Sequence, residues 1–220
     1  MDLENAVKIY KQVDSTELDY IMDLNGSDKG PIWHYYTRFY NALFQPVRTQ
    51  PLKVFELGIG TNNTDVSSNM GAHGKPGASL YGWSRYFSDA DIYGADIDKG
   101  CLFDHCKCRI KTFYCDQTDP KVIHEMWTNE DLNDIQFDIL IEDGLHAPFA
   151  NKIFFEESIH KVKKGGVYLI EDIHEENKEY FRKLLEEWKE KYPTCTFYFF
   201  EVETDGTKPS DNWVLAVQKS

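Results

Sequence analysis

The sequence lacks any long hydrophobic run. No apolar stretch in its 220 residues approaches the roughly 20 residues that a helix needs to cross a bilayer. The first residues, Met-Asp-Leu-Glu-Asn, also lack the basic and then apolar pattern of a secretory signal. We therefore expect a cytoplasmic protein with no membrane partner.

Basic residues are also in short supply. The chain has 24 lysines and arginines against 37 aspartates and glutamates, which gives a formal net charge of −13. Such a surface repels polyanions, so nucleic acid is excluded as a principal partner, and so is an anionic membrane. A small-molecule partner is the expectation that remains.

Paired cysteine motifs are absent as well. The five cysteines are an odd number, which is typical of a reducing compartment rather than of a disulfide framework. Cys106 and Cys108 follow His105 closely, but their C-x-C spacing has no second CxxC or HxxxH motif to complete a metal site. We interpret them as free thiols on a loop.

From residue 52 onward, apolar β-prone segments alternate with helical ones. Predicted strands cover 52–58, 91–98, 110–116, 137–143, 166–172, 196–202 and 212–218, and predicted helices cover 78–87, 120–127, 148–162 and 178–192. The strands of the alternating part are apolar on both faces, as buried parallel strands are. This order predicts an α/β fold with a Rossmann-like, doubly wound sheet and helices on both of its faces. Residues 203–211 are long enough for a return connection between the last two strands.

Residues 1–50 differ in texture from the rest of the chain. An apolar stripe at helical spacing lies within WHYYTRFYNALF and comprises Tyr36, Phe39, Tyr40, Leu43 and Phe44. A loop that contains Gly, Asn, Ser and Pro precedes it at 25–31. We expect an N-terminal helical cover over 1–50 and a catalytic domain over 51–220, which together form one structural unit.

A glycine-containing loop, FELGIGTNN, follows the first strong strand. Gly58 and Gly60 allow the backbone to approach a ligand closely. The dinucleotide fingerprint requires a third glycine, and position 63 is Asn63 instead. Glu56 is poorly placed for a phosphate but well placed for an ammonium group. The loop therefore favours a cationic cofactor without phosphates.

The next two strands end in side chains that suit a nucleoside. An acid at the end of GADID, Asp96 or Asp98, can accept hydrogen bonds from both hydroxyls of a ribose. Asp116 and Gln117 at the end of the third strand can meet the edge of an adenine. Any one of these acids alone is best interpreted as a solvated loop residue. Together they lie at consecutive carboxyl ends of strands, which is where open α/β sheets bind ligands.

The motifs ELGIG, GADID, FYCDQTD and FDILIEDG resemble those of class I S-adenosylmethionine-dependent methyltransferases. With NGSDKG, His34 and the TNNTDVSSNMGAHGKPGASL segment, they resemble in particular the metal-dependent sugar O-methyltransferases of the macrolide-sugar type. The resemblance implies a seven-stranded, mostly parallel sheet with an antiparallel last strand. It also implies S-adenosylmethionine as the cofactor, bound by Glu56, Gly58, Gly60, Ser79, Asp96, Asp116, Gln117 and Glu142.

Two near-identical segments, IEDGLH (141–146) and IEDIHEE (170–176), end the fourth and fifth strands of that fold. Adjacent strands would bring their four carboxylates together, and such a cluster suits a hard divalent cation. The resemblance implies Mg²⁺ bound by Asp143, Glu171 and Asp172, with His146 as the general base. Alternatively, the acids cap the helices that follow, and His146 is an ordinary surface histidine. The role of His174 stays open.

The expected function is Mg²⁺-assisted O-methylation of a sugar, a sugar nucleotide or a small polar metabolite, in polysaccharide or secondary-metabolite biosynthesis. Methylation of a nitrogen or phospho group by the same fold is an alternative. An NAD-dependent oxidoreductase or epimerase is disfavoured by the missing third glycine and by the absence of a Tyr-x-x-x-Lys pair. A non-catalytic ligand-binding protein and a homo-oligomeric assembly stay open, and residues 61–77 are either a lid or a surface loop.

Overall fold

The computed structural model describes residues 1–206 and 209–220, and within them one seven-stranded sheet carries the fold. Its strands are β1 Lys53–Leu57, β2 Asp91–Asp96, β3 Ile110–Tyr114, β4 Phe137–Glu142, β5 Val162–Ile173, β6 Cys195–Glu201 and β7 Trp213–Lys219. They lie in the order β3-β2-β1-β4-β5-β7-β6. Neighbouring strands are parallel except at β7, which runs antiparallel to β5 and β6. The predicted Rossmann-like, mostly parallel sheet with an antiparallel last strand is confirmed.

Helices cover both faces of the sheet. They are α1 Leu3–Ile9, α2 Glu17–Asn25, α3 Tyr36–Phe44, α4 Ala78–Tyr86, α5 Pro120–Trp127, α6 Pro148–Ser158 and α7 Lys178–Lys191. Short 3₁₀ turns lie at Tyr10–Gln12, Gln45–Val47, Lys99–Cys101, Cys106–Cys108, Ile159–Lys161 and Glu175–Asn177. Among the described residues, no helix is long and apolar enough to span a membrane.

The two faces of the sheet have separate hydrophobic cores. Helices α1 to α4 pack on one face, where Val54 and Ile139 point. Helices α5 to α7 pack on the other face, where Phe55 and Leu140 point. Successive strand residues thus serve different cores, which explains why the strands are apolar on both faces in the sequence.

Most observed elements agree with the predicted ones to within about two residues at each end, and two boundaries differ by more. The helix predicted over 148–162 ends at Ser158, whose hydroxyl accepts a hydrogen bond from Trp127 Nε1 at 2.9 Å. The strand predicted over 166–172 begins already at Val162, because this residue pairs with Phe137 of β4 across an irregular register. The exposed Lys-Lys-Gly segment at 163–165 conceals this start in the sequence. The connection predicted over 203–211 includes residues 207–208, which lie outside the described residues.

The first 50 residues form α1 to α3 against the sheet. Helix α2 begins with a capping box in which Thr16 and Asp19 exchange hydrogen bonds. The stripe predicted for α3 is buried, and its Tyr40 packs against Trp83 of α4. The hydroxyls of Tyr36 and Tyr40 also reach acidic side chains at the end of β5. The N-terminal helices therefore contribute polar contacts at the edge of the sheet where the strands end.

Candidate active site

A cavity of about 400 Å³ opens at the carboxyl ends of the parallel strands. This is the edge where open α/β sheets bind their ligands. The predicted site residues that line it are Gly58, Gly60, Ser79, Asp96, Asp116, Gln117, Asp143, His146 and Asp172. Glu56, Glu142 and Glu171 are also predicted for the site, but they are fully buried and lie behind the cavity wall. The structure therefore divides the predicted set into a wall and a buried layer.

The glycine loop after β1 packs tightly against its neighbours. Gly58 and Gly60 both have a φ of +83°, in the left-handed region that favours glycine. A Cβ on Gly58 would lie 1.9 Å from the carbonyl oxygen of Asp143, and one on Gly60 would lie 2.1 Å from Met70 Sδ. The two glycines thus allow the loop to lie against the end of β4 and leave its backbone at the cavity.

Asp96 and Asp98 are alternative candidates for the contact with ribose hydroxyls, and the structure places them in different surroundings. Asp96 lines the cavity, and its carboxylate accepts hydrogen bonds from the backbone N–H groups of Ile59 at 3.0 Å and Asp98 at 2.9 Å. Burial raises the pKa of Asp96. The carboxylate of Asp98 instead accepts hydrogen bonds from the Thr61 hydroxyl and the Gly100 N–H. Asp96 is therefore the acid that can meet a ligand in this cavity.

Gln117 lies in the cavity wall and also holds the turn that carries His146. Its Oε1 accepts a hydrogen bond from the Leu145 N–H at 2.7 Å, and its Nε2 donates to Glu142 Oε1 at 3.0 Å. Asn151 Nδ2 donates to the other oxygen of Glu142 at 2.6 Å. Two neutral amides thus satisfy Glu142, although burial raises its pKa. Because Gln117 holds the backbone of Leu145, the turn needs no hydrogen-bonding side chain at that position.

Asp143, His146 and Asp172 form what we call the outer acid group, on the cavity wall. Each offers a possible ligand atom, and these atoms lie within 4.8 Å of one another. His146 Nε2 is 3.3 Å from Asp143 Oδ1, and His146 Nδ1 is 3.7 Å from Asp172 Oδ2. His146 has a φ of 57° and Asp172 a φ of 53°, which are uncommon for residues other than glycine. The surrounding structure thus holds both residues in a strained backbone conformation.

The N-terminal segment supports Asp172 from the other side. The Tyr36 hydroxyl donates a hydrogen bond to Asp172 Oδ1 at 2.7 Å, and His34 Nε2 lies 3.7 Å from the same oxygen. His34 is held in turn by Asn212, whose Oδ1 lies 2.8 Å from His34 Nδ1. The ring of His34 also stacks on Tyr36, with 4.9 Å between ring centroids. Asp172 therefore has a fixed orientation toward His146.

Glu56 and Glu171 form the inner acid group, which lies behind the outer one and contains Lys29. Lys29 is only 1% exposed. Its Nζ donates hydrogen bonds to Glu171 Oε2 and Asp143 Oδ2, and it lies 3.2 Å from Glu56 Oε1. Asp143 belongs to the outer group but shares one oxygen with this lysine. A single buried ammonium group therefore connects three carboxylates.

Glu171, predicted as a metal ligand, has both of its carboxylate oxygens in hydrogen bonds. One of its oxygens accepts a hydrogen bond from Lys29 and the other accepts one from the Tyr40 hydroxyl. Glu56, predicted to meet the cofactor, accepts a hydrogen bond from Trp83 Nε1 at 2.6 Å. Lys29 is not among the predicted site residues, because a lysine in the polar loop NGSDKG carries no periodic signal of burial.

The two acid groups shift the pKa values of their members strongly. Burial alone would lower the pKa of Lys29, but its carboxylate neighbours, Asp143 first, raise it well above the usual value. Burial also acts downward on His146, whereas Asp143 and Asp172 raise its pKa to about 10. Burial and repulsion between carboxylates raise the pKa values of Glu171 and Asp172. Lys29 and His146 are therefore both cations at neutral pH in this arrangement.

The outer acid group fits a small, hard cation. The two acid groups bring four carboxyl groups together around Lys29 and His146. Asp143 and Asp172 present carboxylate oxygens at the cavity, and Mg²⁺ prefers such ligands. The donor set therefore fits a divalent ion at this edge of the sheet, and the assignment of Asp143, Glu171 and Asp172 as its ligands stays a prediction.

The alternative that these acids cap the following helices has no support in the hydrogen bonds. Helix α6 follows Ala147, and no side chain of the described residues caps its start. The 3₁₀ turn Glu175–Asn177 follows His174, and it too has no side-chain cap there. His174, the counterpart of His146 in the second segment, lines neither of the two cavities at this edge. Asp143, Glu171 and Asp172 are thus directed toward the two acid groups, whereas Glu142 accepts a hydrogen bond from the Asn151 side chain of α6.

Residues 61–77 form one wall of the cavity. Ser68 Oγ donates a hydrogen bond to the Leu145 carbonyl oxygen at 3.1 Å, next to the turn that carries His146. The Met70 N–H donates to the Thr61 carbonyl oxygen at 2.9 Å. Asn62 Nδ2 donates to two backbone carbonyl oxygens within the same segment. The segment is therefore folded onto the site.

A second cavity of about 440 Å³ adjoins the first, and both are lined by His146 and Asp172. Its other lining residues include Trp33, His34 and Asp211. The Trp33 side chain is 58% exposed, which is unusual for so large an apolar group. His146 and Asp172 of the outer acid group thus lie between two cavities, and the exposed Trp33 ring lines only the second of them.

Comparisons with known proteins identify sequence relatives, although no family model matches the chain. It is 33% identical over 150 residues to the 8-demethyl-8-(2-methoxy-alpha-L-rhamnosyl)-tetracenomycin-C 3'-O-methyltransferase of Streptomyces olivaceus, covering 68% of this chain and 35% of the relative. It is 34% identical over 152 residues to the 8-demethyl-8-alpha-L-rhamnosyl tetracenomycin-C 2'-O-methyltransferase of the same organism, with the same two coverages. The chain thus spans about a third of the length of these relatives.

Solved structures share the fold. The MycE methyltransferase from the mycinamycin biosynthetic pathway, in complex with Mg, SAH and mycinamycin VI, superposes with a TM-score of 0.68 at 21% identity. The match covers 100% of this chain and 63% of that one. At this level of identity the likeness establishes the architecture of the sheet and its helices.

Proposed function

We propose that this chain methylates a hydroxyl group of a small-molecule acceptor. It has the fold of the class I S-adenosylmethionine-dependent methyltransferases, and it is related in sequence to sugar O-methyltransferases. The observation that carries the proposal is a single cavity with two different ends. The end at β1 to β3 has groups suited to a nucleoside. The end at β4 and β5 has an imidazole between two carboxylates. Methyl transfer to an alcohol needs a bound methyl donor beside a base for the acceptor.

S-adenosylmethionine is the proposed cofactor. The backbone of Gly58 and Gly60 would lie along its methionine part, and Asp96 would accept hydrogen bonds from the ribose hydroxyls. Asp116 and Gln117 would meet the adenine. Of the remaining predicted residues, Ser79 would touch the cofactor directly. Glu56 and Glu142 would act on it only through the wall residues that they hold.

His146 is the proposed general base. It lies on the wall that both cavities share, and the Gln117 hydrogen bond to its turn keeps its backbone in place. The ring must be neutral to take a proton from an acceptor hydroxyl, whereas Asp143 and Asp172 raise its pKa to about 10. A positive charge at these two carboxylates would favour the neutral ring that a general base needs.

Asp143, Glu171 and Asp172 are the residues that would hold Mg²⁺. Such an ion, when bound, lowers the pKa of an acceptor hydroxyl and offsets the carboxylates that raise the pKa of His146. Support comes from the four carboxyl groups gathered in the two acid groups and from the oxygen ligands that these residues offer. Tyr36 would keep Asp172 oriented for this role.

The second cavity is the proposed place of the acceptor. Its exposed Trp33 ring offers a flat apolar surface, and Asp28 and Asp211 make its lining acidic. Acidic walls favour a neutral or amino-bearing acceptor over a phosphorylated one, which disfavours sugar nucleotides and phospho-group methylation. The relatives are named for rhamnosyl tetracenomycins, and those names do not support the expectation of polysaccharide biosynthesis. A glycosylated secondary metabolite is the acceptor class that we propose.

Residues 1–50 are proposed to act as a cover that completes the catalytic part at 51–220. Support comes from Lys29, Tyr36 and Tyr40, which all contact acids at the ends of β4 and β5. In this proposal the N-terminal helices are part of the site rather than a separate module.

Calorimetric titration with S-adenosylhomocysteine tests the cofactor proposal. We expect saturable binding that Asp96→Asn weakens about 10-fold or more, since a hydrogen bond to a charged group contributes about 1.5–3 kcal/mol. Asp98→Asn is the matched control and should stay within about 3-fold of the parent chain. Absence of binding at millimolar cofactor would contradict the proposal. A screen of glycosylated acceptors for S-adenosylhomocysteine release then identifies the substrate.

A further inference from the structure

We propose that Met70 is a positioning residue at the point where the methyl group passes from the cofactor to the acceptor. The inference rests on the proposed function, because it takes the cofactor to occupy the first cavity and the acceptor to occupy the second. It adds a contact for the transferred methyl group on the segment 61–77, outside the set of predicted site residues.

The two cavities share only part of their walls. Among the described residues, those that line both cavities are Asp28, Ser68, Met70, His146 and Asp172. A methyl group that leaves a donor in one cavity for a hydroxyl in the other has to cross between these side chains. Met70 is the only apolar one of the five. The shared wall therefore offers the methyl group its apolar contact at Met70.

The side chain of Met70 lies in a groove between two glycines. A Cβ on Gly60 would come within 2.1 Å of Met70 Sδ and 3.3 Å of its Cε methyl group, and a Cβ on Gly74 would lie 2.2 Å from Met70 Cβ. Gly60 belongs to the loop that is proposed to lie along the methionine part of the cofactor. The thioether of Met70 thus packs on the backbone that would carry the sulfur end of the cofactor.

The backbone around Met70 is held on both sides. On one side, the Gly71 N–H donates a hydrogen bond to Asn69 Oδ1 at 2.9 Å. On the other side, Ser68 Oγ donates to the Leu145 carbonyl oxygen at 3.1 Å and so connects the segment to the turn of the proposed base. Met70 is therefore fixed relative to both the cofactor loop and that turn.

Methyl transfer depends strongly on position. The S–CH₃ bond of the sulfonium breaks with its electron pair going to sulfur, an O–CH₃ bond forms, and the hydroxyl proton goes to the proposed base. The acceptor oxygen has to approach the methyl carbon from the side opposite the sulfur, and a misplacement of about 1 Å can cost about 100-fold in rate. An unbranched, polarizable methionine side chain can follow the irregular surface around this point. Met70 would limit the positions that the methyl group can take, without making or breaking a bond itself.

Nuclear magnetic resonance of the full chain, labelled with ¹³C in its methionine methyl groups, tests this inference without turnover. The four methionines give four signals, and the signal lost in Met70→Leu is that of Met70. We expect its chemical shift to differ between the chain bound to S-adenosylmethionine and the chain bound to S-adenosylhomocysteine, because these ligands differ only in the transferred methyl group and its charge. Met22 and Met126 are buried in the two cores and serve as internal controls with equal shifts. Equal shifts of Met70 with the two ligands would overturn the inference.

A small soluble nitroxide tests the other side of the shared wall. With S-adenosylhomocysteine in the first cavity, the nitroxide should still broaden the Met70 signal, because Met70 also lines the second cavity. Loss of this broadening when S-adenosylhomocysteine binds would place Met70 in the first cavity alone and would overturn the inference too.

Calorimetric titration of variants gives an independent measurement. Met70→Ala should weaken the binding of S-adenosylmethionine about 2- to 5-fold more than that of S-adenosylhomocysteine, since the contacts of a single methyl group are few. Val66→Ala is the matched control, because Val66 lines only the first cavity, and it should change both affinities by the same factor. Met70→Leu keeps the side-chain volume and should stay within about 2-fold of the parent chain. Equal weakening of the two ligands by Met70→Ala would contradict a contact with the methyl group.

The proposed function fails by a different result. Absence of calorimetric binding of both ligands to the parent chain would remove the methyltransferase proposal, and the role of Met70 with it. Saturable binding of both ligands without any difference at Met70 would leave the methyltransferase proposal in place and overturn only the role of Met70.

Discussion

Glu142 and Glu171 stand in nearly identical segments, IEDGLH and IEDIHEE, at the ends of adjacent strands, yet their surroundings are opposite in kind. Glu142 is surrounded by the neutral amides of Gln117 and Asn151. Glu171 accepts hydrogen bonds from the ammonium group of Lys29 and from a tyrosine hydroxyl. Both side chains are fully buried, so burial does not distinguish them.

The register between the two strands explains the difference. Glu142 of β4 lies opposite Ile170 of β5, so Glu171 is one residue further along. Successive strand residues point to opposite faces of a sheet. Glu142 therefore faces the side of α5 to α7, and Glu171 faces the side of the N-terminal helices. Two copies of one motif can thus perform different tasks when a sheet offsets them by a single position.

The largest expected effect is a difference in kcat between variants of the two histidines of these segments, His146 and His174. His146→Ala removes the proposed base and should lower kcat about 10²–10⁴-fold, the usual contribution of general base catalysis. His174→Ala is the matched control, because His174 lines neither cavity, and should change kcat less than about 3-fold. Steady-state assays that follow S-adenosylhomocysteine release measure both variants. A large loss from His174→Ala with full activity of His146→Ala would reverse the assignment of the two segments.

The next effect concerns stability on the Glu171 side. Lys29→Met leaves buried carboxylates without their cation and should reduce the free energy of unfolding by about 3–5 kcal/mol in urea titrations without divalent ions. Lys53→Met is the matched control, because its ion pair with Asp91 is about 40% exposed on both sides. That variant should lose at most about 1 kcal/mol. Equal losses in the two variants would mean that the buried contacts of Lys29 contribute no more than a surface pair.

Much of the fold was predictable from local patterns, and much of the site was not. The strands are apolar on both faces, and Gly58, Gly60 and Asp96 lie at strand ends, so the sequence located one edge of the cavity. The contact between Lys29 and Glu171 joins residues 142 positions apart, and no spacing rule reaches that far. The offset between β4 and β5 is likewise a property of the assembled sheet, and it decides which glutamate meets the lysine.

A smaller effect is expected on the Glu142 side. Glu142→Gln places an amide N–H₂ group against the donors of Gln117 and Asn151, so one buried donor loses its acceptor at a cost of about 1–3 kcal/mol. Removal of a buried charge offsets part of this cost, and a net loss of about 1 kcal/mol in the free energy of unfolding is expected. Glu187→Gln, on an exposed residue, should stay within about 0.5 kcal/mol. A loss as large as that of Lys29→Met would show that neutral amides and an ammonium group satisfy the two glutamates in equivalent ways.

The smallest effect is expected at the second cavity, which is lined by neither Glu142 nor Glu171. Trp33→Ala removes the exposed ring of the second cavity and should raise the KM for a glycosylated acceptor about 2- to 10-fold, since an aromatic contact contributes about 0.5–1.5 kcal/mol. The affinity for S-adenosylhomocysteine should not change, because Trp33 does not line the first cavity. Tyr20→Ala, which removes a ring that is 68% exposed and lines neither cavity, serves as the control for general loss of surface aromatics. Equal KM values for Trp33→Ala and the parent chain would contradict acceptor binding in the second cavity. The acceptor would then have to reach His146 through the first cavity.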